Sequence, residues 1–213
     1  MFWNNWIQFY YETYLFLGVC VALNLYYFRF DSYGNTINSL SAAILGTMII
    51  IFPFFVIVFY NLPKNYEKIK SYQTEFLERF GSVLEGLNFL RLENYVLWFP
   101  FFSCLRKLLL IYVVVFMQSK QVMSIFAVNF QATFMIMLVG YIPPFKENIL
   151  NQMELLNEAF VLLTNYHLHT FTEFTSDVDA REYMGNSLIV ITAINLLLNI
   201  GVITFSTVSL SAR

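Results

Sequence analysis

LSAAILGTMIIIFPFFVIVFY, residues 40–60, runs without a single Asp, Glu, Lys, Arg or His. The hydrocarbon core of a bilayer is about 30 Å thick, and a helix crosses it with roughly 20 apolar residues. A run of that length therefore reads as a membrane-spanning helix, the form in which one segment satisfies all its own backbone groups in lipid. Ser39, Ala43 and Thr47, with Ala42 and Gly46 beside them, place small side chains four apart and predict close contact with another helix. Pro53 is expected to kink the span.

The rest of the chain has the same character. Of 213 residues, 58% are hydrophobic and only 12% are charged, and the mean hydropathy is +0.61. Soluble domains carry about 25% charged residues. The apolar runs do not alternate with polar residues, so a transmembrane barrel is not expected. The fold class predicted is all-α: a polytopic helical membrane protein with about six transmembrane or membrane-embedded helices plus amphipathic surface helices. A net charge of −2 offers no basic field for nucleic acid. Cys20 and Cys104 lie inside apolar runs and read as inert core thiols, with neither a disulfide framework nor metal-ligand spacing around them.

The whole chain, 1–213, reads as one helical membrane domain. Two spans fall in 1–60, an amphipathic, cytoplasmic-side segment in 61–95, and four further spans in 96–213. Span one is expected at 12–28, preceded by Trp3, Trp6, Tyr10 and Tyr11 as an interfacial aromatic belt. The N-terminus has no basic leader region and reads as a retained first span or signal anchor. In 61–95, Phe76, Leu77, Phe80, Val83, Leu84, Leu87 and Leu90 recur at helical spacing among charges. Two amphipathic helices are expected there, on the membrane surface or against the bundle. Gly81 followed by Ser82-x-x-Glu85 looks like a break and a new capping box.

The third span poses a question. A span over 96–117 puts Arg106 and Lys107 at its middle, where each charge costs about 2.5–3.5 kcal/mol on the insertion scale. A span starting near Phe101 and ending near Lys120 puts the pair in the second turn, free to snorkel to the interface. The other solution is a buried pairing with Glu154 or Glu158. Span four is expected at 122–142, with Asn129 and Gln131 near its centre and Pro143-Pro144 at its end. A short acidic loop is expected at 175–183, and span six at 186–210. With the 61–95 segment on the inside, both termini lie inside and the Lys and Arg bias agrees.

Span five, about 144–174, carries a polar stripe. Glu147, Asn151, Glu154, Glu158, Asn165, His169 and Glu173 follow one another at steps of 4, 3, 4, 7, 4 and 4, which line one helical face. Thr192, Asn195, Asn199 and Ser206 give span six a second one-sided seam. Polar residues at membrane depth are costly unless they face protein or water. The seams are thus candidates either for a polar path, with Glu154 and Glu158 attracting cations, or for hydrogen-bonded glue between helices. His167 and His169 are two apart and point about 200° apart, so they do not form a metal pair. No HExxH, GxSxG, Walker loop or GxGxxG occurs. Neither catalysis nor a cofactor is expected.

Four stretches, "ERFGSVLEGL", "WFPFFSCLRKLLLIYVVVF", "PPFKENILNQMELLNEAFVLLTNYHL" and "DVDAREYMGNSLIVITAINLLLN", together resemble the C-terminal membrane region of large ciliate surface proteins of transient-receptor-potential-like or polycystin-like type. The matching positions are Phe80-Gly81, Phe99-Pro100 with Arg106-Lys107, and Asn151, Glu154, Asn157 and Glu158. The resemblance covers about 78–199. It implies an integral membrane protein of channel or receptor type at the plasma or ciliary surface, and carries over no catalytic or ligand residue. Two functions are therefore expected. One is a channel-like or receptor-like domain with a polar seam between the fifth and sixth spans. The other is a non-catalytic subunit of a large membrane complex, possible in an organelle such as the mitochondrial inner membrane, of respiratory or ATP synthase type. The expected partners are the bilayer and either copies of this chain or other membrane subunits.

Overall fold

The computed structural model describes residues 2–88, 93–172 and 177–211, with side chains at 3–88, 95–172 and 177–204. All its regular elements are helical. They are α1 (Phe2–Tyr26), α2 (Tyr33–Asn61), α3 (Pro63–Lys70), α4 (Thr74–Phe80), α5 (Trp98–Phe116), α6 (Gln121–Tyr141), α7 (Asn148–His169) and α8 (Val178–Ser211), with 3-10 turns at Ser82–Leu84 and Glu93–Leu97. Among the described residues, four helical segments are long and apolar enough to cross a membrane: Tyr33–Asn61, Tyr95–Phe116, Gln121–Tyr141 and Val178–Thr204. The first and fifth expected spans, α1 and α7, are not among these four. At 25 and 22 residues they reach about 33 Å or more at 1.5 Å per residue, so length alone does not set them apart.

The chain folds as two compact units. One comprises 1–119 with 144–146, and the other 120–143 with 147–213.

In the first unit α1, α2 and α5 pack pairwise around Tyr14, Val21, Ala22, Ile49, Cys104, Ile111 and Val115. Ser32 caps α2 by accepting from the Asn35 backbone N–H at 3.3 Å. The Asn35 amide donates to Asp31 at 2.6 Å, which holds that carboxyl below its ordinary range. The face that α2 buries runs through Ser39, Ala42, Gly46, Ile49, Pro53, Val56 and Tyr60. A Cβ on Gly46 would stand 3.0 Å from Leu25 Cδ1, and one on Gly18 would overlap the end of Ile111. The two glycines thus mark where α1 meets α2 and α5.

Pro53 dictates the central polar contact of this unit. A proline has no N–H, so it leaves the carbonyl four residues earlier without its helical donor. That carbonyl belongs to Ile49. The Tyr14 hydroxyl donates to Ile49 O at 2.7 Å, and Tyr14 is fully buried. One helix thereby completes the hydrogen bonding of its neighbour.

The segment after α2 is pinned to the same helices. Pro63 starts α3 at a position where no N–H is needed. The buried Tyr60 hydroxyl donates to Phe80 O at 2.5 Å, holding the end of α4 on α2. Asn4 of α1 accepts from the Ser82 backbone N–H at 2.8 Å.

Several expectations are corrected. Trp3, Trp6, Tyr10 and Tyr11, expected ahead of the first span, are helical too, because α1 starts at Phe2. Ala43 and Thr47 do not form the small-residue contact, because the helical register turns Ser39, Ala42 and Gly46 inward and leaves Thr47 exposed. Ser82-x-x-Glu85 forms no capping box: Ser82 opens a single 3-10 turn, and its side chain is engaged by Asn4. Asp179 and Glu182 sit in the first turns of α8, not in a loop. Cys104 is buried as expected, but Cys20 is exposed on α1. Leu90 lies outside the described residues.

Replacing Tyr14 by Phe should leave Ile49 O unpaired at membrane depth and cost about 1–3 kcal/mol in a detergent unfolding titration. In a Pro53→Ala background, where residue 53 regains its N–H, the cost of Tyr14→Phe should shrink by at least half. Equal costs in both backgrounds would mean that the proline is not the reason for the bond.

Candidate functional site

The polar stripe lies in the second unit, on α7, which packs against both α6 and α8. Pro143 and Pro144 end α6 and force an extended connection, so α7 starts only after Glu147, whose backbone is extended. Its other end is closed by two threonines. Thr170 and Thr172 hydroxyls donate to His167 O and His169 O, each at 2.6 Å, as second donors beside the backbone N–H groups of the same two threonines at 3.0 and 3.2 Å.

The stripe is not a single uniform face. Asn151, Glu158 and Asn165, seven residues apart, are buried at 6, 2 and 7% exposure. Glu154 and His169 are half-buried, and Glu147 is exposed. Glu173 and Ser206 lie outside the residues with described side chains. His169 faces α6: its Nε2 is 3.3 Å from the Asn129 amide nitrogen, and its ring meets Phe126 edge-on at 5.5 Å. An amide nitrogen only donates, so His169 accepts at Nε2 and carries its proton on Nδ1. Ala132, Met135 and Val139 continue the buried face of α6.

The side facing α8 is built from residues that the stripe omits. Asn157 and Asn199 form a reciprocal amide pair. Asn199 donates to Asn157 Oδ1 at 2.8 Å, and Asn157 donates back to Asn199 Oδ1 at 3.2 Å. The Asn199 amide also donates to Asn195 Oδ1 at 3.0 Å, so two of the three expected α8 residues with described side chains join this network. Thr192 does not; it is exposed and its hydroxyl returns to Leu188 O. Nearer the far end of α7, His167 donates from Nδ1 to Leu163 O at 2.7 Å. Its Nε2 then accepts from the Ser187 hydroxyl at 3.1 Å. His167 and His169 thus serve opposite neighbours, as their spacing requires.

Asn157, His167 and Ser187 were not placed on either expected seam, because a periodic pattern finds one face at a time. The missed signal was on α8: Asn195 and Asn199 at mid-helix demand an amide partner on an adjacent helix, and Asn157 is the mid-helix amide of α7.

Two buried amide atoms keep a different status. Asn129 Oδ1 on α6 and Asn165 Nδ2 on α7 have no hydrogen-bond partner among the described residues. One is an acceptor and the other a donor. Asn165 lies one turn before His169, which already contacts Asn129. Such a cluster suits a bridging water or a small polar guest.

Arg106 and Lys107 belong to the first unit and to α5. The helix runs from Trp98 to Phe116, so the pair sits mid-helix and not in a second turn as expected from a start near Phe101. Lys107 reaches α1, where its ammonium donates to Tyr11 O at 3.2 Å and lies 4.5 Å from the centre of the Tyr11 ring. Its ammonium thus meets a carbonyl and an aromatic face on the neighbouring helix.

Asn157→Leu and Asn199→Leu should each destabilise the protein by about 0.6–2 kcal/mol in a detergent titration. The double substitution should cost less than the sum, since each single change leaves one amide unpaired. Strict additivity would mean that the two amides do not interact.

No family model, curated protein or solved structure matches this chain. Its function is therefore argued from its own residues.

Proposed function

We propose that this chain is a non-catalytic, six-helix integral membrane protein that acts as a structural or accessory subunit of a larger membrane assembly. The observation that carries this reading is the Asn157–Asn199 amide pair, with the His167–Ser187 bond beside it. Polar groups at mid-helix are committed to holding helices in register, as glue requires and as a water-lined path does not. In this proposal α1 and α7 also lie in the membrane, each screened by its neighbours. The Val178–Thr204 stretch buries none of its most apolar window inside its own chain, and Ile189, Leu196 and Leu197 are each exposed by more than 60%. Those three side chains can face lipid or another subunit. In this reading an organellar membrane such as the mitochondrial inner membrane is the expected setting.

A second reading, a channel-like or receptor-like domain at the plasma or ciliary surface, is favoured by the unpartnered amide atoms of Asn129 and Asn165. A polar path would follow the α6–α7 seam, with Glu154 and Glu158 on it. The resemblance to transient-receptor-potential-like and polycystin-like membrane regions points the same way.

Gentle detergent extraction followed by native mass spectrometry separates the two. Stoichiometric co-purification with several different membrane subunits is the expected result. A discrete homo-oligomer whose reconstituted cation current changes with Glu154→Gln and Glu158→Gln would overturn the subunit reading in favour of the channel.

A further inference from the structure

A cavity of about 460 Å³ opens in the first unit beneath α3 and α4. Its floor is apolar: Ile69, Leu84 and Leu87 are buried at 1, 4 and 2% exposure. Its rim carries Tyr72, Thr74, Glu78, Glu85 and Lys146. Among the described residues neither carboxylate is paired with a cation, and the Lys146 ammonium lies over the Tyr72 ring, 5.7 Å from its centre.

Two backbone features fix this rim. Helix α3 ends in a Schellman-type turn, with Gln73 N–H donating to Lys68 O at 3.0 Å and Tyr72 N–H to Ile69 O at 3.1 Å. The residue at its turning point, Tyr72, has φ 51°, a left-handed conformation that glycine adopts far more cheaply. A strained tyrosine where glycine is the usual choice points to a use for its side chain. That side chain walls the cavity and carries Lys146. On the other lip Gly86, at φ 78°, turns the chain so that its carbonyl accepts from Lys146 N–H at 2.9 Å, while Asn88 N–H donates to Pro144 O at 2.8 Å. This clasp holds Lys146 at the rim.

We propose that this cavity binds a zwitterionic phosphoamine headgroup, with its phosphate on Lys146, which the Tyr72 ring carries, and its ammonium between Glu78 and Glu85. One cation and two carboxylates on separate parts of one rim match a ligand that bears both charges, and a singly charged anion would leave the carboxylates opposed to it. The apolar floor receives the methylenes between the two charges. The site directly follows the end of α2, to which Tyr60 ties it through Phe80 O. With α2 in the bilayer, phospholipid headgroups are the most concentrated ligands of this chemistry at that level. The inference rests on α2 spanning the membrane and is independent of the choice between subunit and channel.

The test uses the full chain in maltoside micelles, titrated calorimetrically with dihexanoylphosphatidylethanolamine, dihexanoylphosphatidylglycerol and free phosphoethanolamine. The zwitterionic lipid should bind saturably and at least tenfold tighter than the anionic one. Lys146→Met and the double change Glu78→Gln/Glu85→Gln should each weaken it at least fivefold, whereas Lys146→Arg should retain it. Tyr72→Gly should raise the thermal midpoint and yet weaken binding, a combination that a purely structural tyrosine would not give. Phosphoethanolamine binding as tightly as the lipid would support the site with a soluble ligand as its source; much weaker binding would support the lipid. Absence of saturable binding by either zwitterion, equal affinity for both lipids, or indifference to the substitutions would overturn the proposal. The membrane placement of α2 would stand apart from that failure, since it is read from its own length and composition.

Discussion

The Tyr14 hydroxyl on Ile49 O is the contact on which the first unit turns. Pro53 removes one donor from the α2 ladder, and in hydrocarbon no water replaces it. Another helix must supply the hydrogen, and only a buried side chain of the right length, at the right height on α1, reaches that carbonyl. That fixes the register of α1 against α2, and with it the packing of Gly18 and Gly46 at the crossings. The same constraint organises the second unit. There the groups to be satisfied are side chains, and Asn157 with Asn199, and His167 with Ser187, answer each other across the α7–α8 contact.

Much of the fold could be read from the residues. The uncharged run at 40–60 lies within α2, and α6 begins and ends one residue from the expected limits. These elements are legible because apolar length alone decides them. Boundaries set by local hydrogen bonding were harder. α8 starts eight residues early because Asp179 and Glu182 suit a helical first turn as well as a loop. α5 starts at Trp98, because Pro100 is tolerated in its first turn and so did not delay it. The candidate site was half legible. Periodicity located Asn151, Glu158 and Asn165 on one buried face, but it cannot say which neighbour a face meets. The partner of Asn199 therefore stayed hidden until α7 and α8 were seen side by side.

Polar residues in this chain fall into groups with different physical roles. Some complete a backbone, as Tyr14 and Tyr60 do. Others pair across helices. Lys107 shows a third solution, a cation satisfied by a carbonyl and an aromatic face on the adjacent helix. Asn129 Oδ1 and Asn165 Nδ2 follow none of these patterns among the described residues, and they suit a polar guest.

The central claim is that α7 lies within the membrane despite its polarity, screened by α6 and α8. Single cysteines at Val161 and Leu163, both exposed positions of α7, test this most directly in sealed vesicles, after Cys20→Ser and Cys104→Ala remove the native thiols. The account predicts that neither position reacts with a membrane-impermeant maleimide added to either side, while a cysteine at Glu147 does. Full labelling of Val161→Cys and Leu163→Cys without detergent would put α7 at the aqueous surface and contradict the account.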